Sequence, residues 1–388
     1  MRKALLLLLL LAVPAADAAP KSPRAAAPPP ASDDPLGAAT SIDDPTLRAL
    51  LIDSWTWAMD RHPRWATELG APGHDHQLFD GSAAAWSAEL STRAGFLARS
   101  MALDPETLTA SDAQNLRMFR LSQRDSLDRA ICRDHEWGLS PRDNPIVDFA
   151  NLPEERPLST AADAEALLAR YRAIPASIDQ TTTNLRRGLA SGRVATAETV
   201  RRTIEQARAA LGKPLADQPL LRLQGDETLV FHTARKATPI VRDAVLPAML
   251  RFTDFLEREV LPLARPDGRE GLLHVADGRA CYAARARSQT TLDRSPEDLH
   301  ALGLAELIRI HGEFRRIGKT EFGLDDLPAI FERLRTDRTL YFDTSDAVER
   351  AANQSLDRAR AAMPQAFGRL PQAECIVRPI PEHEAPFT

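Results

Sequence analysis

Apolar side chains recur every three or four residues along most of this chain, a spacing that lines one face of an α-helix. Asp43-Asp44-Pro45 predicts the start of a first helix, because Pro is favoured at the first helical position. Leu47, Leu50, Leu51, Ser54, Trp55 and Ala58 share its inner side, and it ends before Pro63. A second helix is expected from Ser82 to Met101, with Trp86, Leu90, Leu97 and Met101 on one stripe. Ser111-Asp112-Ala113-Gln114 reads as a capping box, in which the hydroxyl accepts from a backbone N–H and the amide reaches back. The helix it opens carries Leu116, Phe119, Leu127, Ala130 and Ile131 on one side, with Gln123 a polar interruption.

The pattern then breaks. Pro141, Pro145, Pro153 and Pro157 forbid a continuous helix or a central strand from Leu139 to Leu158, which predicts a long connection. Within it, Asp148-Phe149-Ala150-Asn151 reads as a packed surface loop or as the wall of a cleft. Three helices follow in close order, Thr160 to Ile174, Ala176 to Ala190 and Thr196 to Leu211. A long one is expected from Thr238 to Leu263, bent at or near Pro247. Ser295 caps the clearest helix, with Pro296, Glu297 and Asp298 in its first turn, Leu299, Leu302, Leu307, Ile310 and Phe314 as apolar surface, and Gly318 ending it after Ile317. Shorter helices at Asp325 to Thr336 and Thr344 to Met363 complete the set, and only Glu374 to Ile380 looks extended. The fold class is all-α with at most minor strand content, and no internal repeat is visible.

The first residues change the picture of where this body acts. Arg2 and Lys3, an unbroken apolar run from Ala4 to Val13, and Ala16-Asp17-Ala18 make an export signal, with cleavage expected after Ala18. Ten apolar residues span about 15 Å of helix against roughly 30 Å of hydrocarbon, so the run is too short for an anchor. Residues 19–42 are rich in Pro, Ala and Ser with hardly an apolar anchor, a composition expected to form a disordered tether. The helical region then covers residues 43–388, destined for the periplasm or the exterior. Removing Arg2, Lys3 and Asp17 takes the formal charge from -5 to -6. With no basic stretch, neither nucleic acid nor an anionic membrane surface is an implied partner. Cys132, Cys281 and Cys375 allow one disulfide in an oxidising compartment, their spacing does not choose among the three pairings, and buried, unreacted cysteines are an equal expectation.

Candidate chemistry is sparse. His135-Glu136 is followed by Leu139 where a second zinc-binding His would stand, His311 by Gly312, and His383-Glu384 by Phe387, so no HExxH occurs. His74-Asp75-His76 and Glu382-His383-Glu384 read first as solvated polar segments, and a zinc site assembled from His74, His76 and Glu136 is the less favoured alternative. Gly-x-Ser-x-Gly, phosphate-binding and dinucleotide-binding loops are absent, and no nucleotide cofactor is implied. The stretch from Cys281 to Thr291 gathers hydroxyl, amide and guanidinium groups. Arg285 or Arg287 there could clamp a carboxylate, or more ordinarily form surface salt bridges.

Specific strings add a resemblance. Arg201-Arg202-Thr203-Ile204-Glu205-Gln206, the run from Ser288 to Leu304, and Val377-Arg378-Pro379-Ile380-Pro381 together resemble the bacterial DUF885 family. The Trp55 helix followed by Pro63, Trp65, Ala66, Thr67, Leu69 and Gly70 is similar to the beginning of its members. The resemblance implies a helical zinc metallopeptidase that hydrolyses peptide bonds, carboxypeptidase action included, with ligands on a His-Glu-Gly-x-Pro-Gly-His-His motif downstream of Arg378-Pro379. That motif does not occur before Thr388. The chain is therefore expected to be the N-terminal portion of such an enzyme, incomplete at its C-terminus and inactive alone. No catalytic or metal-binding residue is assigned in it and no cofactor within it, zinc being implied for complete members. Tyr282, Arg285, Arg287, Thr290 and Thr291 are the expected lining of the substrate cleft, with a peptide as the substrate. The competing expectation is a non-enzymatic periplasmic module that binds a peptide or a partner. An incomplete body also predicts exposed apolar surface, with Ile376, Val377, Ile380 and Phe387 lying near the end.

Overall fold

The computed structural model describes residues 41–368 and 370–380. The expected export leader, the expected tether up to residue 40 and the segment containing Glu382-His383-Glu384 and Phe387 lie outside the described residues. The chain divides into two compact units, one ending at Asp293 and one beginning at Arg294. Both are helical, and the described residues contain isolated bridges but no strand, so Glu374 to Ile380 pairs with no partner strand. No helix among the described residues is long and apolar enough to cross a membrane.

The first unit opens with α1 (Pro45–Arg61), whose start is capped by the Asp44 carboxylate accepting from the Leu47 N–H, and α2 (Pro63–Glu68). Ile42 is buried with Leu47 and Leu116, so the ordered body begins inside the stretch expected to be tether. In α3 (Ala83–Met101) the buried residues are Glu89, Phe96 and Ser100, whereas Leu90 and Met101 are exposed. The expected stripe is rotated, because Arg61 and Arg93 close on Glu89 at 2.9 Å each and give its charge a partner inside. The next helix, α4 (Ala110–Arg129), is capped by Thr109 and not by Ser111. Asp112 is buried and accepts from the Asp43 and Asp44 N–H groups, fastening the entry of α1 to α4.

Two short helices occupy the proline-rich connection, α5 (Pro145–Ala150) and α6 (Leu152–Glu155). Their prolines lie in first turns, where a missing N–H costs nothing, and Ile146, Phe149 and Leu152 join the main core. Thr160 and Asp163 form a reciprocal capping box for α7 (Ala161–Ala190), which runs through Pro175 as one helix where two were expected. An interior proline costs about 3 kcal/mol, but burying Tyr171, Ile174 and Ile178 around it gains roughly 1.5–3 kcal/mol each, so packing wins. Beyond α8 (Ala197–Leu211), helical backbone runs from α9 (Glu227–Ile240) through π-turns at Val241–Val245 and Leu256–Val260 that bracket α10 (Leu246–Phe255). This run starts well before Thr238. The wide turn next to Pro247, closed by the Leu246 N–H donating to the Val241 carbonyl, accommodates the residue expected to bend it. One core unites α7, α8, α9 and α10, and α11 (Gly278–Thr290) closes the unit.

The second unit holds α12 (Pro296–Phe322), α13 (Leu327–Thr336) and α14 (Ser345–Ala366), capped by Ser295, Asp326 and Thr344. Helix α12 passes through Gly318 and stops at Gly323, whose φ of 70° is the left-handed conformation glycine allows. Gly318 instead meets Ile330 of α13, where an added Cβ would fall 2.3 Å from Cδ1 of that side chain. Phe314 packs edge-on against Phe331 beside it. Among the described residues of this unit only Gly318 and Ile330 are buried.

Candidate functional site

The densest polar arrangement in the first unit grows from an arginine in the apolar stripe of α7. Arg170 is buried, and its guanidinium donates to the carbonyls of Gln77 (2.9 Å), Pro63 (3.2 Å) and His74 (3.3 Å), to Thr67 Oγ1 (2.7 Å) and to Glu155 (3.1 Å). Glu155 is shared with Arg64 at 2.5 Å. Burial pushes the Glu155 carboxyl up despite the attraction of Arg64 and Arg170, and burial draws the Arg170 guanidinium down. Asp148 of α5 stands nearby with Arg64, Asp143 and Glu155 acting on it. Burial is the main cause that pushes its carboxyl up to about 6, with Arg64 opposing.

Beside this network lies a cavity of about 540 Å³, lined by Asp75, His76, Arg156, Asp163 and Glu165 over Ala162 and Ala166. It is an open depression, with Gly73, His76, Ala162 and Glu165 of its lining exposed. A narrow recess shares Asp75, Arg156, Asp163 and Ala166 with it and is bounded by Thr67, Leu152, Leu167 and Arg170. Arg156 bridges the two carboxylates at the mouth, 2.5 Å from Asp75 and 3.1 Å from Asp163. Asp163 is held from below, since its other oxygen accepts from the N–H groups of Ser159 and Thr160 and from the Thr160 hydroxyl. Asp75 accepts from Thr67 Oγ1 at 2.8 Å. On the rim, Glu165 binds Lys236 at 2.6 Å. The arrangement presents both signs of charge over a small apolar floor.

The five residues expected to line a substrate cleft lie elsewhere, on or just after α11. Arg285 pairs with Asp134 at 2.5 Å and lies over the Trp137 ring, and Arg287 pairs with Asp128 at 3.1 Å. Both pairs are exposed, so each guanidinium already has a carboxylate of its own chain. Tyr282 is exposed, the Thr290 hydroxyl donates to the Ala286 carbonyl, and Thr291 ends the helix at a φ of 58°. None of the five lines the cavity. The residues that do, Asp75, Arg156 and Asp163, carry no shared motif; an arginine within the apolar sequence Leu167, Leu168, Tyr171 was the available sign of a buried network.

Cys132 and Cys281 form the disulfide, joining the end of α4 to α11, and Cys375 is a free, exposed thiol. Zinc, which the family resemblance implies, is not fitted by these residues. Cys132, Asp134 and Cys281 are the group of candidate ligands that converges among the described residues. Both sulfurs are consumed in the disulfide and Asp134 is held by Arg285. His74 instead stands 3.8 Å from Asp60, His76 is 3.3 Å from Gln77, and Glu136 is buried against Arg133. These three histidine and glutamate side chains do not form a ligand set.

A family model described as "Bacterial protein of unknown function (DUF885)" matches residues 63–388. No curated protein matches. Among solved structures, one described as "the putative lipoprotein from Colwellia psychrerythraea" is similar, with a TM-score of 0.74 at 14% sequence identity. The likeness covers 84% of this chain and 61% of that one, and at this identity it shows the fold alone.

Proposed function

This chain belongs to the bacterial DUF885 family, and from that premise we propose that it is the helical front portion of an extracytoplasmic hydrolase of the metallopeptidase type. A second portion, which docks on the 294–380 unit, supplies the catalytic ligands. The observation that carries this reading is the near absence of a core in that unit. Helix α12 exposes Leu302, Leu304, Leu307, Ile308 and Ile310, with Ile308 at 75%, while only Gly318 and Ile330 are buried among the described residues of residues 294–380. A helix apolar on more than one side belongs between layers, and ordering so many residues without burial is not offset. The chain spans 61% of the length of the solved structure of similar fold, which supports the existence of a further portion. The Cys132–Cys281 disulfide supports an oxidising compartment. Family resemblance supports peptide bonds as the target, and the mismatch to zinc described above supports a division of labour between portions.

The test is dye binding and complementation. The chain alone should bind an apolar-surface dye strongly, the L304E/I308E double variant should lose most of that signal, and neither should cleave peptides. Adding the sequence encoded beyond residue 388, on the same chain or co-expressed, should give a protein that no longer binds dye and that cleaves peptides. Weak dye binding by the unaltered chain, or peptide cleavage by the chain alone, would overturn the proposal.

A further inference from the structure

The cavity beside Arg170 carries an inference that does not depend on the docking reading. We infer that it binds a free cationic α-amino acid, through exchange of the ion pairs that close its mouth. Arg156 is the movable part. Its side chain is 47% exposed and free to swing into solvent, whereas Asp163 is 7% exposed, so the guanidinium leaves only as another cation takes its place on the carboxylates. The swing releases two acceptors at once, the Asp75 and Asp163 oxygens that Arg156 had occupied. Neither carboxylate can follow it, because Thr67 fixes Asp75 and the start of α7 fixes Asp163.

A ligand carboxylate then takes Arg156 in a two-pronged pair, and the ligand's α-ammonium takes the two released oxygens. The balance of charge chooses the rest of the ligand. The cavity presents Asp75, Asp163 and Glu165 against Arg156, so after the zwitterionic part is matched Glu165 remains for a second cation, taken in exchange for Lys236. Glu165 already holds a primary ammonium at 2.6 Å, that of Lys236, which shows the group the rim accepts. The floor of Ala162 and Ala166 suits a methylene chain between the two charged ends. Inside, all three guanidinium nitrogens of Arg170 donate to protein oxygens, so it acts as a rigid base and not as a contact for the ligand.

Titration calorimetry of the full chain with L-lysine and L-arginine tests this. Saturable binding in the millimolar range or tighter is expected, with Arg156→Ala at least about tenfold weaker and Arg156→Lys intermediate. Cadaverine, which lacks the carboxylate, Nα-acetyl-lysine, which lacks the α-ammonium, and norleucine, which lacks the second cation, should each bind about tenfold more weakly than L-lysine. Lys236→Ala should tighten binding by freeing Glu165, a gain that misfolding cannot mimic. No saturable binding of either amino acid up to ~10 mM, or equal affinity in Arg156→Ala, would overturn the inference.

Discussion

Helices α7 and α12 are built from similar patterns and reach different ends. Each starts at a hydroxyl cap with an acid in its first turn, and each carries apolar residues at helical spacing over 30 and 27 residues respectively. Helix α7 buries eleven of its residues, including Tyr171, Ile174 and Ile178; α12 buries Gly318 alone. Amphipathicity therefore states that a helix has a face to cover and not what covers it. In residues 41–293 the cover is present, as α8, α9 and α10 close around α7 in one continuous core. In residues 294–380 the local signals are as good and the cover is sparse, which is why the proposed function rests on that unit.

The largest effect expected from this contrast uses the cysteines, because they fall in both units. The Cys132–Cys281 bond closes a separation of 149 residues, for which the loop-entropy account gives a stabilisation of about 5 kcal/mol. Replacing both by Ser should lower the denaturant midpoint of residues 41–293 severely, as followed by near-ultraviolet circular dichroism of the tryptophans, all of which lie there. Cys375→Ser removes an exposed thiol and should leave both units unchanged. Equal responses to the two replacements would mean that the bond does not constrain the first unit.

Next in size is a pH effect confined to the first unit. The fold raises the Asp148 carboxyl from 3.8 to about 6, so the folded state favours its protonated form. That contribution is complete below about pH 4 and is lost as the pH rises through 6, which amounts to about 3 kcal/mol by pH 7. Asp148→Asn should therefore raise stability at pH 7.5 by about 1–3 kcal/mol and flatten the slope between pH 4 and 6. No carboxylate is buried among the described residues 294–380, so unfolding of that unit, read by exchange of its amide hydrogens, should not share the step. A midpoint for the first unit that stays level across that range in the unaltered chain would contradict the raised Asp148 carboxyl and its partial burial.

How far these features could be read in advance follows from whether the deciding neighbour is local. Caps are local, and Asp44, Ser82, Thr160, Thr196 and Ser295 all serve as their residue types predict. Pro175 looked like a helix boundary because its missing hydrogen bond is local, while the core that outweighs it comes from α8, α9 and α10. The cap expected at Ser111 falls to Thr109, whose hydroxyl accepts from the Asp112 N–H, while the Asp112 carboxylate serves α1 from far along the chain. The cavity was illegible for the same reason, since Arg156 and Asp75 are 81 residues apart and become partners only through folding. Arg285 and Arg287 were visible as chemistry, but the carboxylates that occupy them, Asp134 and Asp128, lie about 150 positions earlier. Exposed apolar surface near Ile376 and Ile380 was expected from composition, and both residues are exposed.

The smallest effect separates local from tertiary signals within α12 itself. Gly312 and Gly318 lie in the same helix, and residue type alone cannot tell them apart. An added Cβ at Gly312 meets nothing within 4 Å, so Gly312→Ala should stabilise the helix by up to about 1 kcal/mol through propensity alone. At Gly318 the same methyl would lie 2.3 Å from Ile330 Cδ1 and 2.7 Å from the Leu324 carbonyl oxygen, and the backbone oxygen cannot step aside as a side chain can. Gly318→Ala should therefore loosen α13 from α12, outweighing the same propensity gain by about 1–3 kcal/mol. Hydrogen exchange at the Ile330 and Phe331 amides reads the difference: protection should rise slightly in the first variant and fall in the second. If both variants gained protection alike, the α12–α13 contact would contribute nothing to the unit, and the remaining support for its fold would have to come from a covering partner.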